Sequence, residues 1–132
     1  MKKLIYGIWA LIIIAISGCG IDDISIIPQP KTHPVITSSH FVKNTETLTI
    51  DGSVDFNAPV DDLISLTAFV TNAQGIEVYR EQPSLTLPGV RTGTVPFSVS
   101  YAAFPAGTYT LTIFLANSGL GSSNSVTFTF TK

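Results

Sequence analysis

Apolar and polar residues alternate with a period of two along most of the chain after residue 34, and no eleven-residue stretch shows a helical stripe. In the clearest runs, 108–115 and 126–131, threonines separate large apolar residues. Clusters of Gly, Pro, Asn, Asp and Ser separate the runs. The pattern predicts about seven β-strands. The other alternating runs are 35–41, 48–56, 64–71, 76–78 and 95–101.

A single open sheet would expose a whole apolar face, and no predicted helix is available to cover it. We therefore predict an all-β fold for residues 34–132, an antiparallel β-sandwich of two sheets. In the third strand, the alternation assigns Ile64, Leu66, Ala68 and Val70 to the inner face. The predicted inner faces hold enough large apolar side chains to stabilise a domain of about 100 residues without disulfides.

Residues 104–113 read Phe-Pro-Ala-Gly-Thr-Tyr-Thr-Leu-Thr-Ile. The segment resembles the entry to the penultimate strand of immunoglobulin-like (Ig-like) and fibronectin type III-like domains. The resemblance implies that Tyr109 is a corner tyrosine bonded to the upstream backbone, and Gly107 a turn residue with permissive dihedral angles. The chain lacks the cysteine pair and the third-strand tryptophan of antibody domains, so it is similar to the broader bacterial Ig-like class. Alternatively, Tyr109 is simply a core residue.

The first eighteen residues follow a different pattern, that of a secretory signal. Two lysines, Lys2 and Lys3, precede thirteen residues without charge, 4–16. A helix of that length spans about 20 Å, short of a bilayer core of about 30 Å. We therefore predict that residues 1–18 form a signal peptide that is removed.

The signal ends in Ile16-Ser17-Gly18-Cys19, which resembles the lipobox of bacterial lipoprotein precursors. Small residues suit an extended backbone in a protease groove, and the cysteine thiol is a strong nucleophile. The resemblance implies cleavage between Gly18 and Cys19, a diacylglycerol on the Cys19 sulfur and an N-acyl lipid on its amine. Two or more acyl chains give stable anchoring. The alternatives are an ordinary secretory signal with a chance cysteine, or an uncleaved anchor.

Residues 19–33 are interpreted as the lipidated cysteine followed by an extended tether, because Pro28 and Pro30 disfavour a helix. The tether contains four isoleucines, and we expect their side chains to pack on the domain. Alternatively, they lie at the lipid interface or contact a partner. The residue after Cys19 is Gly20, not the aspartate that retains Gram-negative lipoproteins in the inner membrane. The resemblance to lipoprotein precursors therefore implies that the protein is sorted to the outer membrane if the host is Gram-negative.

Charge and cysteine content exclude several classes of function. The predicted mature region has five basic and nine acidic residues, which excludes a basic nucleic-acid binder. One cysteine excludes a disulfide framework and a multi-cysteine zinc site. The two histidines, His33 and His40, lack further ligands for a metal, and no Gly-x-Ser-x-Gly elbow is present, so we expect neither a metal centre nor an enzyme.

Calcium binding remains an alternative at the acidic group. Asp55-x-Asn57 begins like a calcium loop, but Pro59 breaks the spacing, and the required glycine and glutamate are missing. Solvated turn carboxylates are the favoured interpretation. The residues of this acidic group are Asp51, Asp55, Asp61 and Asp62.

Three apolar residues are candidates for contact with a partner. Leu120 lies in the polar loop 117–125, and Phe69 and Phe114 lie on the predicted outer faces of their strands. The sequence thus predicts a membrane-anchored envelope lipoprotein whose Ig-like domain is a protein-binding or structural module. The alternative is an accessory lipoprotein of a secretion, pilus or other envelope machine. A carbohydrate-binding module is less favoured, because the one tryptophan, Trp9, lies in the signal.

Overall fold

The computed structural model describes residues 33–132, which form seven strands. The predicted signal peptide, the cleavage site at Gly18 and Cys19, and the tether as far as residue 32 lie outside the described residues. Over the described part of the chain, no helix is long and apolar enough to cross a membrane. The strands are β1 (Val35–Asn44), β2 (Thr49–Asn57), β3 (Leu63–Asn72), β4 (Glu77–Glu81), β5 (Thr92–Ser100), β6 (Thr108–Asn117) and β7 (Val126–Thr131).

The strands form two antiparallel sheets. The three-stranded sheet has the order β1-β2-β5, and the four-stranded sheet has the order β4-β3-β6-β7. Immunoglobulin constant domains assign their seven strands to two sheets in the same way, except that their fourth strand belongs to the sheet that contains the first, second and fifth strands. Here β4 pairs with β3 and extends the second sheet instead. The predicted seven-stranded, Ig-like β-sandwich is confirmed.

Side chains from the inner faces of both sheets form the core. Each fully buried aliphatic or aromatic side chain contributes about 1.5–3 kcal/mol of gross stabilisation. The aromatic part of the core includes Tyr109 of β6 and Phe130 of β7, whose ring centroids lie 5.7 Å apart. The core residues with no exposed surface are Ile50, Val54, Ala68, Val70, Val99, Leu111, Ile113 and Leu115.

The inner face of β3 differs from the predicted one at its first residue. The expectation that Ile64 points inward is wrong: Ile64 is 45% exposed, whereas Leu63 is 1% exposed. The register between β3 and β6 shifts between Leu63 and Ser65. This irregularity breaks the period of two, so the sequence alternation gave the wrong face at this position.

Four segments meet at the end of the sandwich where the described chain begins, which we call the entry end. They are residues 33–34 and the connections 58–62, 82–91 and 118–125. The backbone N–H of Ser118 donates to the carbonyl of Asp62 at 2.9 Å, which joins two of these connections. The side chain of Asn124 bonds both backbone groups of Ile36, at 2.8 and 3.2 Å. The loops of the entry end are therefore tied to one another and to the first strand.

Candidate functional site

Phe69 and Phe114 lie on the outer face of the four-stranded sheet, on the neighbouring strands β3 and β6. Phe69 pairs with Thr112 and Phe114 with Thr67, so the two rings are diagonal neighbours. Their centroids lie 6.4 Å apart at an interplanar angle of 68°. Both rings are half-buried, and the adjacent Thr67 is 1% exposed. The structure therefore brings the two phenylalanines together in one edge-to-face pair.

Arg80 of β4 extends this pair into a three-residue group, which we call the aromatic cluster. Its guanidinium carbon lies 4.9 Å from the centroid of Phe69. Arg80 donates to the carboxylate of Glu77 at 2.6 and 3.2 Å. These hydrogen bonds lower the pKa of the Glu77 carboxyl and raise the pKa of the Arg80 guanidinium. The guanidinium that lies over the Phe69 ring is therefore also hydrogen-bonded to a carboxylate.

The sequence interpretation missed Arg80. The available signal was the Glu-x-x-Arg spacing of Glu77 and Arg80. This short run follows the predicted strand that carries Phe69 on its outer face. That signal could not be used without the register, which pairs Arg80 directly with Phe69 across β4 and β3.

Threonines line much of the remaining outer face beside the aromatic cluster. The hydroxyls of Thr110 and Thr129 lie 3.3 Å apart across β6 and β7. The result is an uncharged, hydroxyl-rich surface with the aromatic cluster at one side. The cross-strand rows are Thr71–Thr110–Thr129 and Phe69–Thr112–Thr127.

Leu120 lies in the 118–125 connection at the entry end, not on the sheet face with the two phenylalanines. Its side chain is 92% exposed, and its φ is +65°. The N–H of Leu120 donates to the carbonyl of Asn117 at 3.3 Å, and the N–H of Gly121 donates to the Asn117 Oδ1 at 2.7 Å. A hydrogen-bonded turn thus holds Leu120 out into solvent. A groove of about 190 Å³ lies at the same end, between the start of β3 and residues 85–88.

The hydroxyl of Tyr109 donates to the carbonyl of Pro105 at 2.6 Å, which is the local bond of a tyrosine corner. Gly107 lies in a bend just before β6, and its φ is not positive. Positive φ occurs in the described glycines at Gly75 and Gly89. Gly107 instead pairs through both backbone groups with Lys132, at 2.9 and 3.3 Å. It therefore holds the chain end to the corner through two backbone hydrogen bonds.

The outer face of the three-stranded sheet is polar. Asp55 accepts hydrogen bonds from Ser38 and Thr94, and Asp51 accepts one from Ser98 at 2.6 Å. The Ser38 hydroxyl is the main cause of the lowered pKa of the Asp55 carboxyl, and the Ser98 hydroxyl is the main cause of the lowered pKa of Asp51. The carboxylates are thus satisfied by cross-strand hydroxyls.

The two remaining members of the acidic group, Asp61 and Asp62, lie at the entry end. Asp62 accepts from Arg91 at 2.7 Å and from the N–H of Gly89 at 3.0 Å. His33 and His40 are both exposed. Among residues 33–132, no group of three or more His, Cys, Asp and Glu side chains could hold a metal ion. The acidic residues are divided between a sheet face, where hydroxyls bind Asp51 and Asp55, and the entry end, where guanidinium and amide groups bind Asp62.

No protein-family model matches the chain, and no curated protein sequence matches it. Two solved structures are similar to it in fold. The PKD1 domain of Vibrio anguillarum Epp is 19% identical, with a TM-score of 0.40 over 75% of this chain and 92% of that one. A DUF3244 family protein with an immunoglobulin-like β-sandwich fold from Bacteroides vulgatus is 21% identical, with a TM-score of 0.35 over 75% of this chain and 98% of that one. At these identities the likeness concerns the fold alone.

Proposed function

We propose that the protein is a lipid-anchored module of the bacterial envelope, and that its Ig-like domain binds another envelope protein through the aromatic cluster. The observation that carries the proposal is the position of Phe69, Phe114 and Arg80 together on one outer sheet face. Phenylalanine and arginine are both enriched in protein–protein interfaces, and arginine is among the residues that most often dominate the binding energy. The Ile-Ser-Gly-Cys sequence ending at Cys19 supports the anchor.

The surroundings of the aromatic cluster favour a protein partner. Threonine hydroxyls beside the cluster can donate and accept hydrogen bonds, which suits the polar rim of an interface. Arg80 is already ordered by Glu77, so binding would not have to immobilise a free arginine side chain. The partner would therefore bind the cluster as a preformed surface.

The β5 edge of one sheet and the β4 edge of the other favour docking on the face over addition of a strand at these two edges. Strand β5, an edge of the three-stranded sheet, carries Pro96, which has no N–H to donate to an added strand. Strand β4, an edge of the four-stranded sheet, has five residues, and three of them are charged. Charged residues and prolines protect edge strands from pairing with other chains.

The lipid anchor would raise the efficiency of this binding. Fourteen residues from Cys19 to Thr32 reach at most about 45–50 Å when fully extended. A partner held in the same membrane then meets the domain at a high effective concentration, so a weak interface suffices. The mechanism is the localisation of a protein-binding surface close to a membrane.

Site-specific photo-cross-linking in cells tests the binding face. A photo-reactive residue at position 112, in the same row as Phe69, is expected to capture one envelope protein. The matched control is position 98, which is exposed on the outer face of the other sheet. The capture should be lost with Phe69→Ala plus Phe114→Ala in a chain that remains folded. Equal capture from both positions would reject the aromatic cluster as the binding site, and a captured secretion or pilus component would specify an accessory role.

Membrane fractionation of a Cys19→Ser variant tests the anchor separately. The unmodified chain is expected in the membrane fraction, at mature size and with added lipid mass. The variant is expected to leave that fraction. A Cys19→Ser protein that stays membrane-bound at mature size contradicts the anchor but leaves the binding face untouched.

A further inference from the structure

The entry end of the sandwich exposes apolar side chains. Leu120 is 92% exposed, the largest exposure among the large hydrophobic residues of the described chain. Val60, in the 58–62 connection, is 55% exposed, and Ile64 is 45% exposed. The 118–125 and 58–62 connections are adjacent, because the N–H of Ser118 donates to the carbonyl of Asp62. The apolar side chains are thus presented by loops that are tied together.

Leu120 is held in a costly backbone conformation. Its φ of +65° lies in the left-handed region, which Gly and Asn adopt more easily than leucine. Asn117 closes the turn by hydrogen bonds to Leu120 and to the next residue, Gly121. Its backbone N–H donates to the carbonyl of Gly121 at 2.9 Å. A glycine would relieve the strain at this position. A leucine here gives the turn a projecting apolar tip.

The charges near this tip are few and partly paired. Arg91 and Asp62 form an ion pair at 2.7 Å. Asp61 lies against the backbone at Gly119. Within residues 33–132, the apolar tip therefore lies beside the carboxylates of Asp61 and Asp62 and not beside a basic patch that would bind anionic headgroups. Contact with a lipid surface at this end would depend on apolar insertion.

We propose that the entry end rests on the lipid surface of the membrane that holds Cys19, with the side chains of Leu120 and Val60 inserted among the lipids. This inference rests on the lipid anchor of the proposed function. The chain that leads from Cys19 joins the domain at His33, at this same end, so the anchor lies at most about 45–50 Å of extended chain away. The tethered membrane is then a permanent apolar partner at high effective concentration, and shallow insertion of two side chains is sufficient.

Such a contact would fix the orientation of the domain. With the entry end on the membrane, the strands run away from the lipid surface. The aromatic cluster on the side of the sandwich then faces along the membrane, where a neighbouring envelope protein can reach it. The contact therefore links the anchor to the proposed binding face.

An introduced cysteine tests the contact, because Cys19 is the single native cysteine and, under the proposed anchor, its sulfur would be blocked by lipid in the mature protein. Leu120→Cys and Val60→Cys would each be labelled with an environment-sensitive dye, and the lipidated protein reconstituted in phosphatidylethanolamine and phosphatidylcholine vesicles. The matched control is Ile76→Cys, because Ile76 is also apolar and 61% exposed but lies in the β3–β4 turn at the opposite end. Circular dichroism would verify that each variant is folded.

We expect the emission from positions 120 and 60 to shift to shorter wavelength, and nitroxide lipids to quench it. Position 76 should keep the emission of a dye in water. Water-like emission from positions 120 and 60 in verified lipidated protein overturns this inference and leaves the anchor standing. Equal shifts at all three positions also overturn it. A mass spectrum without lipid on Cys19 overturns this inference together with the lipid anchor, and leaves the proposed binding face untouched.

Discussion

Phe97 of β5 packs over Gly52 of β2, its cross-strand partner. A Cβ atom built at Gly52 would lie 2.6 Å from the Cζ of Phe97 and would overlap the carbonyl oxygen of His40. The phenylalanine ring thus occupies the space that a side chain would need, on the inner face between Ile50 and Val54. Gly52 is required here because two strands and a ring approach each other closely.

Gly52→Ala is therefore expected to destabilise the domain by about 1–3 kcal/mol, since the added methyl overpacks the site and one obstacle is rigid backbone. Equilibrium denaturation followed by circular dichroism measures the change. The matched control is Gly107→Ala, where the added Cβ would meet the Tyr109 ring at 3.8 Å, an ordinary contact. Equal stability of the two variants would contradict the close packing of Phe97 on Gly52.

Tyr109→Phe should lower the free energy of unfolding by about 0.5–1.5 kcal/mol, because it removes the hydrogen bond from the hydroxyl to the carbonyl of Pro105. The matched control is Tyr101→Phe, which removes a longer hydrogen bond, 3.1 Å, from another buried tyrosine to the carbonyl of Asn44. Both variants keep the ring in the core. A loss at Tyr101 with none at Tyr109 would show that the corner bond contributes nothing to stability.

Acidification should destabilise the domain through Asp55 and Asp51. Cross-strand hydroxyls hold the pKa of each carboxyl below the ordinary value of 3.8 in the folded state. The stabilisation is therefore complete above pH 3.8 and is lost as pH falls from there through the folded pKa. Urea denaturation midpoints measured across this interval should decline. Asp55→Asn, which cannot ionise, should decline less steeply.

Ser38→Ala provides the control for the source of this effect. It keeps the Asp55 carboxylate but removes the hydroxyl that contributes most to its lowered pKa. Its decline should be intermediate between those of the unmodified protein and Asp55→Asn. Identical declines in all three proteins would assign the acid sensitivity to other groups.

The fold could be predicted from the sequence because most strands keep an unbroken period of two. In β6, the alternation that assigns Tyr109, Leu111, Ile113 and Leu115 to the core agrees with exposures of 0–5%. It failed at Ile64, since a register shift is a property of two paired strands and leaves no trace in the periodicity of one.

The candidate site could be predicted only in part for the same reason. Phe69 and Phe114 were recognisable as outward residues of their strands. Predicting that the two rings are neighbours required the pairing register of β3 and β6, which relates residues 45 positions apart in the sequence. Predicting the role of Arg80 also required the pairing of a third strand, β4. The five residues of β4 do not encode which of the two sheets the strand joins.

Arg80 and Phe69 should be energetically coupled in the folded protein. A cation over an exposed ring contributes about 0.5–1 kcal/mol, and residues in contact give non-additive changes in a double-mutant cycle. We expect Arg80→Ala and Phe69→Leu to destabilise the protein less together than the sum of the two single changes, as measured by denaturation. A parallel cycle on Lys43 and Tyr101, where the amine lies 5.9 Å from the ring centroid, should give a smaller coupling than the 4.9 Å pair. Additive effects at Arg80 and Phe69 would mean that the guanidinium only neighbours the ring, and that the aromatic cluster is less preorganised for a partner than its geometry indicates.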